Sequence, residues 1–396
     1  MLLTLALLIS YIDRGNMATV ATLLSDQLAL SPKQMGLLFS SFYLTYVIAM
    51  IPAGYLAERY GAKSILAAGF AIWSVATLLT GICSGFITLL LCRLLLGVGE
   101  STTFPSMSKL LASTSPPEKL GRANGIVSVG YLLGPAVGTF LAGVIMVAYG
   151  WRPTFLLFGG MALMWIWPWL RTTVREPRLF DSPHAGPSWG QLLRQRGLWA
   201  ASLGHFAGNY TFYFVLNWLP DYLDRERGLS LSSMWKVVLI AYLLNAVGAY
   251  TAGVLVDRWN RRHGNVSVIY KSLMALNHVA ALGCMLGLYA LPLRPAIGCL
   301  FVYQFIVGLA SPGCFAIPQV MAGAAGTARW VGVQNMFGNF AGILAPSITG
   351  YLLGSSGSFA HAFVIAGLVN ILGILGWIIL LPKVEPVRWS ALGATT

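Results

Sequence analysis

The sequence predicts an all-α integral membrane protein with twelve transmembrane helices in two six-helix bundles. Of its 396 residues, 57% are hydrophobic and only 9% are charged, whereas a soluble domain carries about 25% charged residues. Apolar runs of about 20 residues, the length that crosses a hydrocarbon core about 30 Å thick, recur along the whole chain. Two loops about half a chain apart also repeat one pattern, which indicates two related halves.

The apolar runs place the spans. We predict spans near residues 1–24, 34–57, 64–84, 87–110, 122–149, 153–171, 197–220, 232–256, 270–291, 295–320, 328–354 and 359–382. The N-terminal bundle is then 1–171, a cytoplasmic linker follows at 172–196, and the C-terminal bundle with a short cytoplasmic tail is 197–396. The first span has no basic leader or cleavage site and carries Asp13 and Arg14, so it is not a signal peptide. Because the sequence opens on apolar residues, we expect a short cytoplasmic leader to precede it.

Basic residues are concentrated on one set of loops. With the N-terminus inside, seventeen Lys and Arg fall on cytoplasmic segments and six on the opposite side. Cytoplasmic loops carry the excess of such residues, so both termini are predicted to lie in the cytoplasm and the protein in the cell inner membrane. The net charge of +13 reflects this topology and contact with anionic lipids. The basic residues form no continuous stripe with interleaved aromatics, which argues against nucleic-acid binding.

Residues that would indicate enzyme chemistry are absent from the sequence pattern. The five cysteines lie in or at the ends of apolar spans without a CxxC pair, so neither a disulfide framework nor a zinc site is predicted. We interpret His205 and His278 as polar helix contacts. No nucleotide-binding G-x-x-x-x-G-K-[ST] occurs, and no nucleophile with a base or metal cluster is found. We therefore predict a protein that is not an enzyme and needs no metal or cofactor.

An internal repeat supports two parallel halves. Residues 54–63 (GYLAERYGAK) and 253–262 (GVLVDRWNRR) share a glycine, an acid, an arginine and a basic end, 199 residues apart. Residues 130–138 and 342–350 share a second, glycine-rich pattern. Halves related by an axis along the membrane normal would give these offsets, and small residues at such spacing let helices approach closely.

Four charged residues are predicted at membrane depth. They are Asp13, Arg14, Arg93 and Glu100. Each isolated charge at mid-bilayer costs at least about 2.5 to 3.5 kcal/mol, so such residues are retained for pairing or for function. Arg93 and Glu100 lie seven residues apart, on one helix face and about 10 Å from each other. We expect each arginine to pair with an acid on another helix or to remain free for an anionic ligand.

Over its whole length the sequence resembles the major facilitator superfamily. Residues 54–63 match its signature between helices 2 and 3, with Glu58 in place of the usual Asp, and residues 93–100 (RLLLGVGE) match its helix 4 signature. In other members the acid and arginine of this loop latch the two halves in the outward-open state. The resemblance therefore implies gating roles for Glu58 and Arg59, and for Asp257 and Arg258 of the repeated loop.

A finer resemblance is to the anion:cation symporter branch of that superfamily, which includes sugar-acid permeases and sialin-like carriers. It is carried by residues 11–16 (YIDRGN), 35–63 and 93–106, with weaker support from residues 338–346. In that branch two acids carry protons, while an arginine, tyrosines and an asparagine hold the substrate. The resemblance implies proton coupling by Asp13 and Glu100, substrate binding by Arg14, Tyr11, Tyr46 and Asn339, and Arg93 as the counter-charge of Asp13.

Two features depart from this branch. Tyr131 stands where sugar-acid permeases tend to have a Gln for substrate hydroxyls, and we include it among the predicted substrate-binding residues. The pattern of residues 130–138 is typical of drug and metabolite antiporters. Residues 11–15, 97–101 and 173–177 also resemble Spinster-type lysolipid transporters. Export or exchange of an amphipathic metabolite, or lysolipid transport, is therefore the alternative function.

The sequence thus predicts a proton-coupled symporter of a small organic anion that works by alternating access. Substrate arrival at Arg14 can change the proton affinity of a neighbouring carboxyl, so the proton serves as coupling ion. The expected partners are the anion, protons and membrane lipids, and the expected state is a monomer. All essential ionic chemistry is predicted in the N-terminal half. The second half would contribute neutral amides at depth, represented by Asn209, Asn245, Gln304, Gln334, Asn335 and Asn339.

Overall fold

The computed structural model describes residues 1–174, 176, 186–356 and 358–389, and these residues form helices without any strand. The first half contains α1 (Leu2–Leu28), α2 (Pro32–Tyr60), α3 (Ala62–Ile82), α4 (Phe86–Glu100), α5 (Thr103–Thr114), α6 (Leu120–Tyr149) and α7 (Trp151–Arg171). The second contains α8 (Trp189–Leu193), α9 (Arg196–Arg225), α10 (Leu231–His263), α11 (Val266–Ala290), α12 (Leu293–Ser356) and α13 (Ala360–Ile374). Arg175 and residues 177–185 of the predicted linker, and residues 390–396 of the tail, lie outside the described residues.

The helices account for all twelve predicted spans. By length and apolar composition, nine described helical stretches could cross a bilayer, and one of them, Leu293–Ser355, is long enough to cross twice. This stretch bends at Gly323, whose backbone φ is 65°. Glycine adopts such a positive φ readily because it has no Cβ atom. The helices α1 and α9, of 27 and 30 residues, are also long enough to cross, and they complete the twelve.

The fourth predicted span is broken rather than continuous. It consists of α4 and α5, separated by Ser101 and Thr102. Pro105 lies in the first turn of α5 and has no N–H to donate to the carbonyl of Ser101, so the helix is interrupted just after Glu100. The break places Glu100 at the end of a helix inside the bundle.

The glycine-rich patterns serve close helix packing. A Cβ atom at Gly130 would lie 2.2 Å from the carbonyl oxygen of Thr4, and one at Gly138 would lie 2.8 Å from the Cα of Ile12, so α6 packs directly on α1. In the second half, a Cβ at Gly342 would lie 2.9 Å from the Tyr213 ring, so α12 packs on α9 in the corresponding way. The pattern that is typical of antiporters therefore has a packing role within the first half.

Apolar side chains cover the outside of the bundle. Large hydrophobic residues such as Phe140, Val147, Met164 and Tyr351 are more than two-thirds exposed. An apolar surface of this extent is unfavourable in water and matches the hydrocarbon region of a bilayer. The buried interior, by contrast, contains the charged and amide residues of the site.

Candidate functional site

An ion pair between α1 and α4 lies at the centre of the first half. Arg14 Nε lies 2.6 Å from Glu100 Oε2, and Ser10 Oγ donates to the same oxygen at 3.3 Å. Ser10 and Arg14 are four residues apart, so they share one face of α1. The Glu100 side chain is fully buried, and the predicted pairing of an arginine with an acid on another helix is confirmed for this pair. Glu100 Oε1 and Arg14 Nη2 have no hydrogen-bond partner within the described chain.

Aromatic rings surround the Arg14 guanidinium. Its Cζ lies 4.5 Å from the ring centre of Tyr11, 4.5 Å from that of Tyr46 and 5.4 Å from that of Phe42. Cation–π contacts of this kind stabilise a positive charge away from water and fix its position. The Tyr46 hydroxyl has no partner among the described residues. Both tyrosines line the central cavity, so they place Arg14 at its edge.

Asp13 and Arg93 contact other groups rather than each other in the described structure. Asp13 lies beside Trp73 and Thr77 of α3, accepts a hydrogen bond from Asn16 at 3.3 Å, and is 3% exposed. Arg93 donates to the carbonyl of Leu38 at 3.2 Å and lies over the Phe42 ring. No nitrogen of Arg93 lies within 4.0 Å of an Asp13 carboxylate oxygen. Arg93 therefore makes no direct ion pair with Asp13 in the described structure, although the two groups lie within electrostatic range of each other. The role of Arg93 as the counter-charge of Asp13 stays a prediction.

The central cavity lies between the two halves and has a volume of about 970 Å³, including space open to solvent. Tyr11, Tyr46, Tyr131 and Asn339, predicted from the sequence, all line it. Among its described lining residues there is no Lys, Arg, Asp or Glu. Sequence reasoning did not assign to the site several residues that also line it: Phe104, His205, Tyr213, Asn277, His278 and Phe315. The histidines were recognised but interpreted as helix contacts, and the aromatic residues carry no signal that separates them from lipid-facing ones.

Asn339, predicted to bind the substrate, is hydrogen-bonded to residues of its own C-terminal half. Its Oδ1 accepts a hydrogen bond from the Tyr213 hydroxyl at 2.7 Å, and its Nδ2 donates to Asn335 Oδ1 at 2.9 Å and to the Asn335 carbonyl at 2.8 Å. Asn335 Nδ2 has no partner within the described chain. The amide donor left without a partner is therefore the buried Asn335 Nδ2, and the hydrogen bonds from Asn339 position that side chain.

The repeated segments predicted as loops lie at the C-terminal ends of α2 and α10, and each contacts the opposite half. Glu58 Oε1 accepts a hydrogen bond from the backbone N–H of Arg329 at 2.9 Å, and Glu58 Oε2 pairs with the guanidinium of Arg329. Asp257 Oδ1 accepts a hydrogen bond from the backbone N–H of Arg122 at 3.2 Å. We call the end of the molecule that holds these contacts the basic face. Sequence reasoning placed Arg329 among the topology charges and so missed its partner.

Close packing completes this closure. A Cβ at Gly54 would lie 2.5 Å from the carbonyl oxygen of Ala328, and one at Gly253 would lie 2.9 Å from that of Gly121. Asn124 and Gln319 also exchange two amide hydrogen bonds across the halves, at 2.6 and 3.1 Å. The two halves are therefore in contact at the basic face, with the cavity behind them.

The two arginines of the predicted gate lie at the edge of these contacts. Arg59 donates to the Tyr55 hydroxyl one turn earlier on α2, at 2.8 Å, and Arg258 is exposed. In the described part of the linker, Glu176 accepts hydrogen bonds from the backbone N–H groups of Ala62 and Lys63, both at 2.9 Å. A carboxylate at a helix N-terminus is stabilising, so the linker is held against the start of α3.

Comparison with known proteins agrees with this architecture. The solved structure of the transporter FucP in the outward conformation aligns with a TM-score of 0.78 at 13% identity, covering 95% of this chain and 97% of that one. The proton:xylose symporter XylE aligns with a TM-score of 0.79 at 15% identity, covering 97% and 95%. At these identities the likeness concerns the fold alone.

Sequence comparison gives the family. The hexuronate transporter of Bacillus subtilis (strain 168) is 29% identical over 92% of this chain and 90% of its own length. The probable sulfoacetate transporter SauU of Cupriavidus necator is 29% identical over 94% and 91%. The probable galactarate/D-glucarate transporter GudP of Escherichia coli (strain K12) is 26% identical over 96% and 92%. These relatives are transporters rather than enzymes and belong to the sugar-acid branch that the motifs indicated. The profile described as Major Facilitator Superfamily matches residues 3–346, and the chain belongs to that superfamily.

Proposed function

We propose that this protein is a proton-coupled symporter of a small organic anion. The observation that carries the proposal is the Arg14 guanidinium, held between Tyr11 and Tyr46 at the edge of the cavity and paired with buried Glu100. An arginine presents a planar fork of donors that suits a carboxylate. The names of the three relatives given above state organic anions as their substrates, namely hexuronate, sulfoacetate and galactarate or D-glucarate. This supports an anionic substrate for this chain as well.

Competition for Arg14 supplies a coupling mechanism. Glu100 and a substrate carboxylate would both pair with the same guanidinium, and Arg14 Nη2 has no partner in the described chain. When the substrate takes over the guanidinium, Glu100 loses its positive neighbour in a fully buried position, where an unpaired charge is costly. Uptake of a proton by Glu100 removes that cost. Release of the substrate reverses the exchange, because Glu100 gives up the proton and pairs with Arg14 again.

Asp13 would carry a second proton. Its carboxylate is buried, and among the described residues one of its oxygens has no hydrogen-bond partner and no arginine nitrogen lies within 4.0 Å of it. A charged carboxylate without a partner in such a site is strongly disfavoured, so we propose that Asp13 is protonated in this conformation. The asparagine side chain of Asn16 then orients the neutral carboxyl group.

Alternating access follows from the contacts at the basic face. The pairs Glu58 with Arg329, and Asp257 with the Arg122 N–H, join the halves on one side of the cavity. In the predicted orientation this side is cytoplasmic, so the conformation described here would be closed to the cytoplasm. Rocking of the halves about the cavity would break these contacts and open that side.

The alternative of metabolite exchange loses one of its supports. The glycine pattern that favoured it packs α6 against α1, and this packing accounts for the glycines without exchange. Reconstitution into liposomes tests the choice directly. With an inward proton gradient, we expect uphill accumulation of an added anion such as D-glucuronate, and loss of that accumulation in Glu100→Gln with counterflow retained. Accumulation in the Gln variant at the wild-type level would contradict the proposal. Uptake driven only by a counter-anion, or transport of a lysolipid instead, would favour the alternative.

A further inference from the structure

His205 on α9 lines the cavity, and its ring makes no hydrogen bond within the described chain. Its side chain lines the cavity wall on the C-terminal half, is 8% exposed, and has an Nδ1 atom without a partner in the described chain. The ring fits against Gly338 of α12, where a Cβ atom would lie 2.8 Å from the His205 Cγ and 2.9 Å from its Nδ1. Nδ1 therefore faces α12, and Nε2, on the opposite side of the ring, is the nitrogen left for a ligand in the cavity. Its edge meets the Phe315 ring, with the ring centres 5.8 Å apart. These contacts fix the orientation of the imidazole.

The other cavity histidine differs in this respect. His278 is 1% exposed, and its Nδ1 lies 2.8 Å from Asn370 Oδ1. Asn370 Nδ2 donates in turn to Thr211 Oγ1 at 2.8 Å. This chain of hydrogen bonds occupies His278 within the protein. Of the two histidines, only His205 is therefore left with a buried ring nitrogen that nothing in the described structure satisfies.

Two amide atoms near the same wall are also unsatisfied. They are Asn277 Oδ1, an acceptor, and Asn335 Nδ2, a donor. Buried polar atoms are nearly always hydrogen-bonded, and leaving one without a partner is unfavourable. All three groups belong to the C-terminal half, whereas Arg14 belongs to the N-terminal half. A positive charge thus lies directly behind Tyr11 and Tyr46 on one wall of the cavity, and neutral donors and acceptors lie at the other wall.

We propose that His205 is a specificity-determining residue, whose imidazole hydrogen-bonds a hydroxyl or carbonyl group at the substrate end remote from the carboxylate. The inference rests on the proposed function, since Arg14 must hold that carboxylate. A neutral imidazole can donate or accept, so it suits such a group. A second carboxylate at this end would find no Lys or Arg among the described lining residues. The preferred substrate is therefore a monocarboxylate with a polar, uncharged far end.

Ligand binding by purified protein in lipid nanodiscs tests this assignment. Three probes are compared. D-glucuronate has a carboxylate and a polar, uncharged far end, D-glucarate has a second carboxylate at the far end, and hexanoate has a carboxylate and an apolar chain. We expect wild type to bind glucuronate more tightly than the other two. His205→Ala should weaken glucuronate binding by about three- to tenfold, the effect of one hydrogen bond, and leave hexanoate binding unchanged. His205→Gln, which keeps a donor and an acceptor, should recover part of the loss.

Control variants separate recognition from folding. Gly338→Ala leaves His205 in the sequence but displaces its ring, so it should reproduce the selective loss of glucuronate binding. Each variant must also unfold, without ligand, within a few degrees of wild type. Equal losses for glucuronate and hexanoate, no loss in either, or tighter binding of glucarate by wild type would overturn the role of His205. Failure of wild type to bind all three anions would contradict the proposed function itself.

Discussion

Glu58 and Asp257, at matching positions of the repeated segments that end α2 and α10, each accept a hydrogen bond from a backbone N–H of the opposite half. Glu58 accepts from Arg329 and Asp257 from Arg122. The second site lacks the guanidinium pair that Glu58 makes with Arg329. The two contacts at the basic face therefore share a backbone hydrogen bond, but of the two acids only Glu58 also forms an ion pair in the described structure. We expect the Glu58 contact to hold the halves together more strongly than the Asp257 contact.

Neutralising Glu58 should open the basic face. In Glu58→Gln the buried Arg329 loses its counter-charge, and breaking one side of a buried pair is typically destabilising by about 3 to 5 kcal/mol. Cys314 lines the cavity and reports on access from that side. In a background without the other four cysteines, we expect maleimide labelling of Cys314 from the basic face to become at least several-fold faster.

A matched control for this experiment is Glu118→Gln, which removes an exposed acid near the same face. It should leave the labelling rate unchanged. Asp257→Asn should give a smaller increase than Glu58→Gln, because no guanidinium is left unpaired. Equal labelling rates in wild type and Glu58→Gln would rule out Glu58 as a link that holds this conformation.

Arg14 should tolerate lysine better than alanine. Arg14→Ala removes the charge that holds the substrate carboxylate, whereas Arg14→Lys keeps the charge and loses the planar fork. We expect calorimetry to show anion binding weakened far more in the Ala variant. Arg171→Ala, which removes an arginine that lies over the Trp167 ring, serves as control. Equal loss in the Lys and Ala variants would show that the fork itself is required, and no loss in either would remove Arg14 from the site.

Replacing Asn339 should change the affinity for the substrate without changing proton uptake. Its amide links Tyr213 to Asn335, so Asn339→Ala frees the Asn335 side chain that faces the cavity. Neutral amides cannot carry a proton at physiological pH. We expect weaker substrate binding with substrate-linked proton uptake retained. Loss of proton uptake with unchanged affinity would contradict the assignment of the ionic chemistry to the N-terminal half.

Much of the fold could be predicted from the sequence, because a span is a local property. Twenty apolar residues must cross the bilayer whatever their neighbours are, and the repeat at Gly54 and Gly253 relates the halves. The break between α4 and α5 was not predicted, because the span was continued through the polar residues Ser101 and Thr102 and through Pro105. A separation near Gly323 was predicted, since residues 321–327 lie between two predicted spans, but composition does not report the backbone angle that makes the bend.

The charged residues of the site could be predicted from the sequence, but which arginine pairs with which acid could not. Charges at membrane depth are rare, so Asp13, Arg14, Arg93 and Glu100 stood out. Which arginine meets which acid depends on how the helices rotate against each other, and Arg93 turned to α2 instead of Asp13. Arg329 lies 271 residues from Glu58. A single sequence holds no local signal for a contact at that distance.

Proton uptake on substrate binding tests the central claim most directly. Purified protein in weakly buffered solution is mixed with a saturating anion, and the pH change is followed with an indicator dye. If the substrate displaces Glu100 from Arg14, wild type should take up protons and the solution should become more alkaline. Glu100→Gln should bind the anion without this change, while Asp26→Asn, at an exposed position of α1, should behave as wild type. Binding without proton uptake in wild type, or undiminished uptake in Glu100→Gln, would contradict the account.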